Sequence, residues 1–226
     1  MSENIIMKGM MLMKSMIANY NIQKLSELNP IEVPFVNEQI YQSLRMLNFE
    51  YPGFKKWYWN LFDKKQFLKE GREILFCKIN KTIIAVSILK STVEEKKICT
   101  FRVNKDFQGE GIGTELMKKS LEWLNTDKPL ITVHKSKEHQ FEKIFKYFDF
   151  RAEQSLKRYY RCFTEISYNG VLPEKKIIIN NFESINLQNF IYKVITENRF
   201  EDVQNIIEYY LYKYVRNSYN EFNLIK

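Results

Sequence analysis

The chain has 226 residues, 45% hydrophobic and 27% charged, and reads as a soluble globular protein with one good core and room for a small appended unit. Its net charge of +8 favours anionic ligands, although a lysine-rich, solvated surface accounts for much of the excess. The irregular spacing of Cys77, Cys99 and Cys162 argues against a disulfide framework, no Cys/His spacing suggests a metal, and no apolar run reaches transmembrane length.

Residues 1–16 are rich in methionine but do not read as a signal peptide. Glu3 precedes the apolar part, Lys8 and Lys14 interrupt it, and no small-residue cleavage site follows. They are expected to be a flexible end, with Met13 or Met16 as alternative translation starts. Together with three cysteines that read as buried thiols of a reducing compartment, this predicts a cytoplasmic protein with no membrane attachment.

Asn19 to Leu25 alternates weakly and predicts a first strand. Val33, Phe35, Val36, Ile40, Leu44 and Leu47 have helical character over 31–47. After the turn Tyr51-Pro52-Gly53, Phe54, Trp57, Tyr58, Leu61 and Phe62 form a second helical stripe. Two strands, 74–79 and 82–89, are joined by Asn80-Lys81. A polar connection, 90–95, leads to a strand over 97–103. Past a glycine loop, Ile112, Leu116, Met117, Ser120, Leu121 and Leu124 predict a helix. The strand 130–134 is reached through that helix and should pair with 97–103 in parallel. Phe141, Ile144, Phe145 and Phe148 mark another helix, and 151–168 gives one or two final strands. Pro173 to Ile178 reads as a linker. Two apolar stripes between 184 and 215 predict an αα-hairpin, to be covered by the main domain, by a second copy in a homodimer, or by a partner.

The loop Gln108-Gly109-Glu110-Gly111-Ile112-Gly113 concentrates three of the chain's 7 glycines. It sits where the first N–H groups of a helix lack partners, so it predicts an anion site suited to phosphate. It is no P-loop, because Thr114-Glu115 follows where Lys-Ser/Thr is needed. It is no dinucleotide fingerprint either, because the order is Gly-x-Gly-x-Gly after an antiparallel meander.

Gln108, Gly111 and Gly113 instead resemble the acyl-CoA loop, Arg/Gln-x-x-Gly-x-Gly/Ala, of the GNAT (general N-acetyltransferase) superfamily, and the element order over about 17–168 resembles that family's. The resemblance implies an α/β (α+β) fold: a mixed, mostly antiparallel sheet with flanking helices, a V-shaped splay between two parallel strands, and here a C-terminal αα-hairpin. It divides the chain into a flexible N-terminus 1–16, an acetyltransferase domain 17–170 and a helical extension 171–226. It further implies acetyl-CoA as co-substrate without a metal. Gln108, Gly109, Glu110, Gly111, Ile112, Gly113 and Thr114 would hold the pyrophosphate. Phe101, Arg102 and Val103 would pair with the pantetheine arm, and a backbone N–H there could polarise the thioester carbonyl. Two positions depart from the family pattern. Phe145 stands where many members have a tyrosine that protonates the leaving thiolate, and Asp149 stands where most have glycine.

The leading expectation is therefore transfer of an acetyl group to a primary amine by direct attack on the thioester. The acceptor class stays open between a small molecule, a protein amine and aminoacyl-tRNA. His134, ending the strand beside the cleft, is the candidate general base, against the alternative of a packed or surface histidine. Glu94 and Glu95 are weaker candidates acting through water. The competing reading is a non-catalytic acyl-CoA-binding regulatory module whose helical tail recruits a partner.

Overall fold

The computed structural model describes residues 20–51, 53–63, 67–157, 159 and 164–173. The expected flexible end, Cys162 and the helical hairpin over 184–215 lie outside the described residues.

The elements follow in chain order. Strand β1 (Ile22–Lys24) precedes helices α1 (Val33–Leu44), α2 (Leu47–Glu50) and α3 (Phe54–Trp59). A short antiparallel pair, β2 (Phe62–Asp63) with β3 (Phe67–Leu68), leads to β4 (Arg72–Ile79), β5 (Thr82–Ser91) and β6 (Lys96–Val103). Helix α4 (Ile112–Leu124), β7 (Leu130–His134), α5 (Glu138–Tyr147), β8 (Ala152–Lys157) and β9 (Thr164–Tyr168) complete the order. Seven strands form one sheet in the order β1-β4-β5-β6-β7-β9-β8. Every neighbouring pair is antiparallel except β6 and β7.

The central strands read as nearly continuous apolar runs because helices cover both sides. On β5 every residue from Ile83 to Leu89 is buried. One face packs Leu75, Cys77, Ala85, Leu89, Ile98, Ile131, Val133, Ile166 and Tyr168 against α4 and α5. The other packs Ile74, Phe76, Val86 and Ile88 against α1 and α3. There Tyr58 is fully buried, and its hydroxyl donates to Asn37, tying α3 to α1.

Two local outcomes differ from the predicted elements. The expected helix over 31–47 breaks at Arg45 and Met46, which follow α1 as a turn before α2. The stripe beginning at Phe54 ends its helix at Trp59, so Leu61 and Phe62 reach the core from a turn and a short strand. The segment after Arg151 gives two strands, β8 and β9. Asp149, in place of the family's glycine, takes a left-handed conformation (φ 51°) that Asp tolerates. Lys128 fixes it there, donating to its carboxylate at 3.1 Å and to the Phe148 carbonyl at 3.0 Å.

Candidate active site

The site begins where β6 and β7 part. Their parallel pairing covers only Lys97 with Leu130 and Ile98 with Ile131. Beyond that point β6 runs on to Val103 and β7 to His134 without pairing. A bulge marks the same place. Leu89 of β5 faces Ile98, and Ile88 faces Thr100, which leaves Cys99 as the extra residue on β6. A bulge bends its strand and sharpens its twist, which turns the end of β6 away from β7.

Strand alternation fixes what the opening offers. The Asn104 N–H donates to Ile84 of β5 at 2.7 Å. Residues alternate along a strand, so the N–H and C=O groups of Phe101 and Val103 point the other way, toward the opening. Side chains alternate across the sheet as well. Phe101 and Val103 lie on the α4/α5 face, where the Phe101 ring meets Phe141 at 6.2 Å. Arg102 lies on the α1 face and lines a cleft of about 480 Å³ with Phe35, Gln39, Lys81 and Asn104.

At the end of β6 a short turn, Lys105–Phe107, leads into the glycine loop. Gln108 Nε2 donates to the Val103 carbonyl at 3.1 Å and draws the loop back onto the strand. Gly109 and Gly111 have φ of 85° and 80°, a region that L side chains rarely adopt. Gly113 has a different reason to be glycine. A Cβ there would meet Val103 Cγ2 at 3.5 Å and Ile144 Cδ1 at 3.8 Å, inside the groove between the loop, β6 and α5. Ile112 is fully buried and anchors α4, whereas Glu110 is exposed and Thr114 half-buried. The N–H groups of Ile112, Gly113 and Thr114 open the helix and have no acceptor within it. They point out with the positive end of the helix dipole, which can hold a phosphate.

His134 ends β7 on the α1/α3 side. Its Nδ1 accepts from the Ser136 N–H at 3.1 Å and lies 2.7 Å from the Ser136 hydroxyl. In the neutral ring the proton therefore belongs on Nε2, and burial lowers the imidazole's tendency to gain a second one. Phe145 is buried within a ring cluster, 5.2 Å from both Phe141 and Phe150 and 4.4 Å from Tyr168. The Tyr168 hydroxyl donates to Glu138 at 2.6 Å; burial first, and then that carboxylate, raise its pKa.

The weaker candidates Glu94 and Glu95 are not brought to this opening. Glu94 and Glu95 belong to the β5–β6 turn, at the opposite end of β6 from the glycine loop. Glu94 is exposed there, and Glu95 pairs with Lys90 at 2.7 Å. His139 is exposed on α5. Burial pushes the Cys99 thiol up, against the opposing charges of Lys97 and Arg72, so a thiolate is disfavoured.

One polar group at the opening escaped sequence reasoning. Glu165 on β9 faces His134 across the antiparallel ladder and is only 2% exposed. Burial pushes its carboxyl up to about 7, with the nearby Tyr51 phenol opposing the shift. A glutamate in a strand run flanked by core residues was the available signal. Among the described residues, no helix is long and apolar enough to cross a membrane, and no cluster of three or more His, Cys, Asp or Glu is arranged for a metal.

The acetyltransferase (GNAT) domain family matches residues 53–161, a span that contains the splay and the glycine loop. No curated protein matches the sequence. Among solved structures, a GNAT-family protein from Desulfovibrio desulfuricans is 14% identical with a TM-score of 0.51, over 66% of this chain and 97% of that one. The ribosomal-protein-S18-alanine N-acetyltransferase of Escherichia coli is 14% identical with a TM-score of 0.48, over 71% and 100%. A GNAT-family acetyltransferase of Elizabethkingia anophelis with acetyl-CoA bound is 23% identical with a TM-score of 0.37, over 43% and 74%. The splayed parallel strands, the glycine-led helix and the family match coincide on the same residues, and residues 53–161 form a domain of the GNAT acetyltransferase family.

Proposed function

We propose that this chain transfers the acetyl group of acetyl-CoA to a primary amine by direct attack of the amine on the thioester. The observation that carries the reading is the opening between β6 and β7 past Ile98 and Ile131, with a glycine-led helix N-terminus at its far end. Loop residues 108–114 are suited to the pyrophosphate through backbone donors, with Gly113 leaving room for close approach. The edge of β6 at Phe101 and Val103 that β7 leaves uncovered suits the amides of the pantetheine arm. An N–H from the same edge would favour negative charge developing on the thioester oxygen. Acetyl-CoA supplies the activated acyl group, and the acceptor would enter from the α1/α3 side.

His134 faces that side. For it to take up a proton at Nδ1, the bond from Ser136 must break. We therefore assign it the orientation of the acceptor through Nε2–H ahead of general-base work. Acceptor size stays open between small amines, protein amines and aminoacyl-tRNA.

The test is thiol release from acetyl-CoA with n-butylamine, spermidine, an alanyl peptide and a lysyl peptide, beside calorimetric binding of coenzyme A. Amine-dependent thiol release is expected. Tight coenzyme binding without turnover on any acceptor would support the acyl-CoA-binding module instead, for which the hydroxyl-free Phe145 is the favouring observation.

A further inference from the structure

The cleft beside Arg102 lies on the α1 face, away from the groove suited to the coenzyme. It holds about 480 Å³, enough for a small molecule. Helix α1 supplies one wall through Phe35, Gln39 and Gln42, which its periodicity puts on one face. The buried Ile83 and Val86 of β5 form the floor, and the exposed Lys81 and Arg102 line it from the sheet. Gln39 Nε2 donates to the Lys81 carbonyl at 3.4 Å and ties α1 to the β4–β5 turn at one end. Phe35 is 66% exposed, so its ring is free to cover an apolar body. Charge here is one-sided. Among the described residues, no hydrogen bond or ion pair engages the Arg102 guanidinium or the Lys81 ammonium. The one carboxylate among the described lining residues, Glu38, already accepts from Gln42 Nε2 at 2.7 Å. Either cation alone would be a solvated surface charge; what distinguishes the pair is the apolar cavity they share.

The cleft borders the opening. Strands β6 and β7 part after Ile98, so the opening runs along β6 from there to Val103. Arg102 lies within that stretch, and its cross-strand partner Val86 belongs to the cleft floor. The next register pair back along β6 is Phe101 with Ser87, about 3.3 Å of strand away. Residues 101–103 thus turn backbone groups toward the coenzyme's path, while the Arg102 side chain stands on the α1 face, from which the acceptor would enter.

This inference rests on the acetyl-transfer reading. We propose that the cleft seats the body of the acceptor, and that the acceptor is an amine carrying a carboxylate on a short apolar chain. The carboxylate takes the Arg102 guanidinium, whose planar fork suits it, with Lys81 as a second charge. The methylenes lie against Phe35, Ile83 and Val86, and the amine points back along β6 to the opening. There the C–N bond forms at the thioester carbonyl as the C–S bond breaks with its electron pair on sulfur. The proton that the amine gives up ends on that thiolate through water. A polyamine would bring further ammonium groups to the two cations, which disfavours it. Arg102 is a specificity-determining residue: it meets the acceptor at the end away from the reacting atoms.

The experiment uses the full chain, with Arg102→Gln and Arg102→Lys beside wild type. Arg102 is exposed, so neither substitution disturbs the core. Thiol release from acetyl-CoA is measured with 4-aminobutanoate and 6-aminohexanoate, each beside its carboxamide, and with spermidine. In wild type each carboxylate should exceed its carboxamide by about tenfold or more in kcat/KM, with the difference carried by KM. Arg102→Gln should bring that ratio close to one, and Arg102→Lys should keep part of it. Hexanoate, which has no amine, should compete with 6-aminohexanoate. In calorimetry it should bind Arg102→Gln about tenfold more weakly than wild type.

A ratio close to one in wild type, with thiol released by every amine, overturns the carboxylate site and leaves acetyl transfer standing. A ratio that survives in Arg102→Gln puts the carboxylate elsewhere and overturns the assignment of the cleft. Hexanoate that binds through Arg102, with no thiol released by any amine, removes the acetyl-transfer reading, and the acceptor role of the cleft falls with it.

Discussion

Gly111 and Gly113 lie two residues apart in one loop, yet alanine should act oppositely on the fold at the two positions. At Gly111 a Cβ would meet nothing within 4 Å, but φ is 80°. The cost is therefore conformational, about 1–2 kcal/mol for an L side chain in the left-handed region, partly offset by a stiffer unfolded chain. At Gly113 the backbone is helical, and the new methyl would sit in ordinary contact with Val103 and Ile144. Alanine there should gain up to about 1 kcal/mol from helix propensity. Melting temperatures without ligand should thus fall on opposite sides of wild type, by about 2–4 °C each. Coenzyme A affinity should drop in both. The Gly113→Ala methyl narrows the groove at the helix N-terminus, and losing one charge-assisted hydrogen bond there costs about 1.5–3 kcal/mol, or roughly ten- to a hundredfold in Kd. Thermal melts of the ligand-free protein and calorimetry with coenzyme A read both quantities. A Gly113→Ala protein less stable than wild type would refute the packing argument. A more stable one with undiminished affinity would refute the phosphate role of the loop.

Three further predictions follow from other parts of the fold. Ser120 and Ser87 share a buried hydroxyl contact of 2.9 Å, and Ser120 also reaches the Leu116 carbonyl at 2.7 Å. Ser120→Ala should cost about 1–3 kcal/mol in urea unfolding by stranding Ser87, and Ser87→Ala in the same chain should recover most of it. Because Glu165 has a folded pKa raised to about 7, the stability it contributes is full below the ordinary carboxyl range and is lost as pH rises through about 7. Glu165→Gln should therefore gain on wild type at alkaline pH, by on the order of 3 kcal/mol at most, and a gain independent of pH would refute the shift. His134→Gln should leave the pH–rate profile unchanged and lose less than about tenfold in kcat, whereas loss of a limb near neutrality would make His134 the base.

The sheet, its parallel pair and the loop were legible because each rests on local signals: apolar runs, a helix between two strands, and clustered glycines at a helix start. The sequence could not show where the strands part. Lys97 to Val103 reads as an unbroken strand, and the bulge at Cys99 becomes visible only through its register against Ile88 and Leu89. Phe145 shows the limit of matching one position at a time. In sequence it is a missing hydroxyl, whereas in the fold its ring fills a cluster with Phe141, Phe150 and Tyr168. Glu165 escaped for a topological reason. The neighbour of β7 on the side away from β6 is β9, not the next strand in the chain, so His134 meets a residue from beyond α5 and β8. Tyr51 arrives from the other end of the domain, carried by the turn between α2 and α3. No spacing rule joins residues 51, 134 and 165. The strand order that joins them also builds the splay, so the opening that would take the thioester and the buried carboxylate beside it follow from one feature of the sheet.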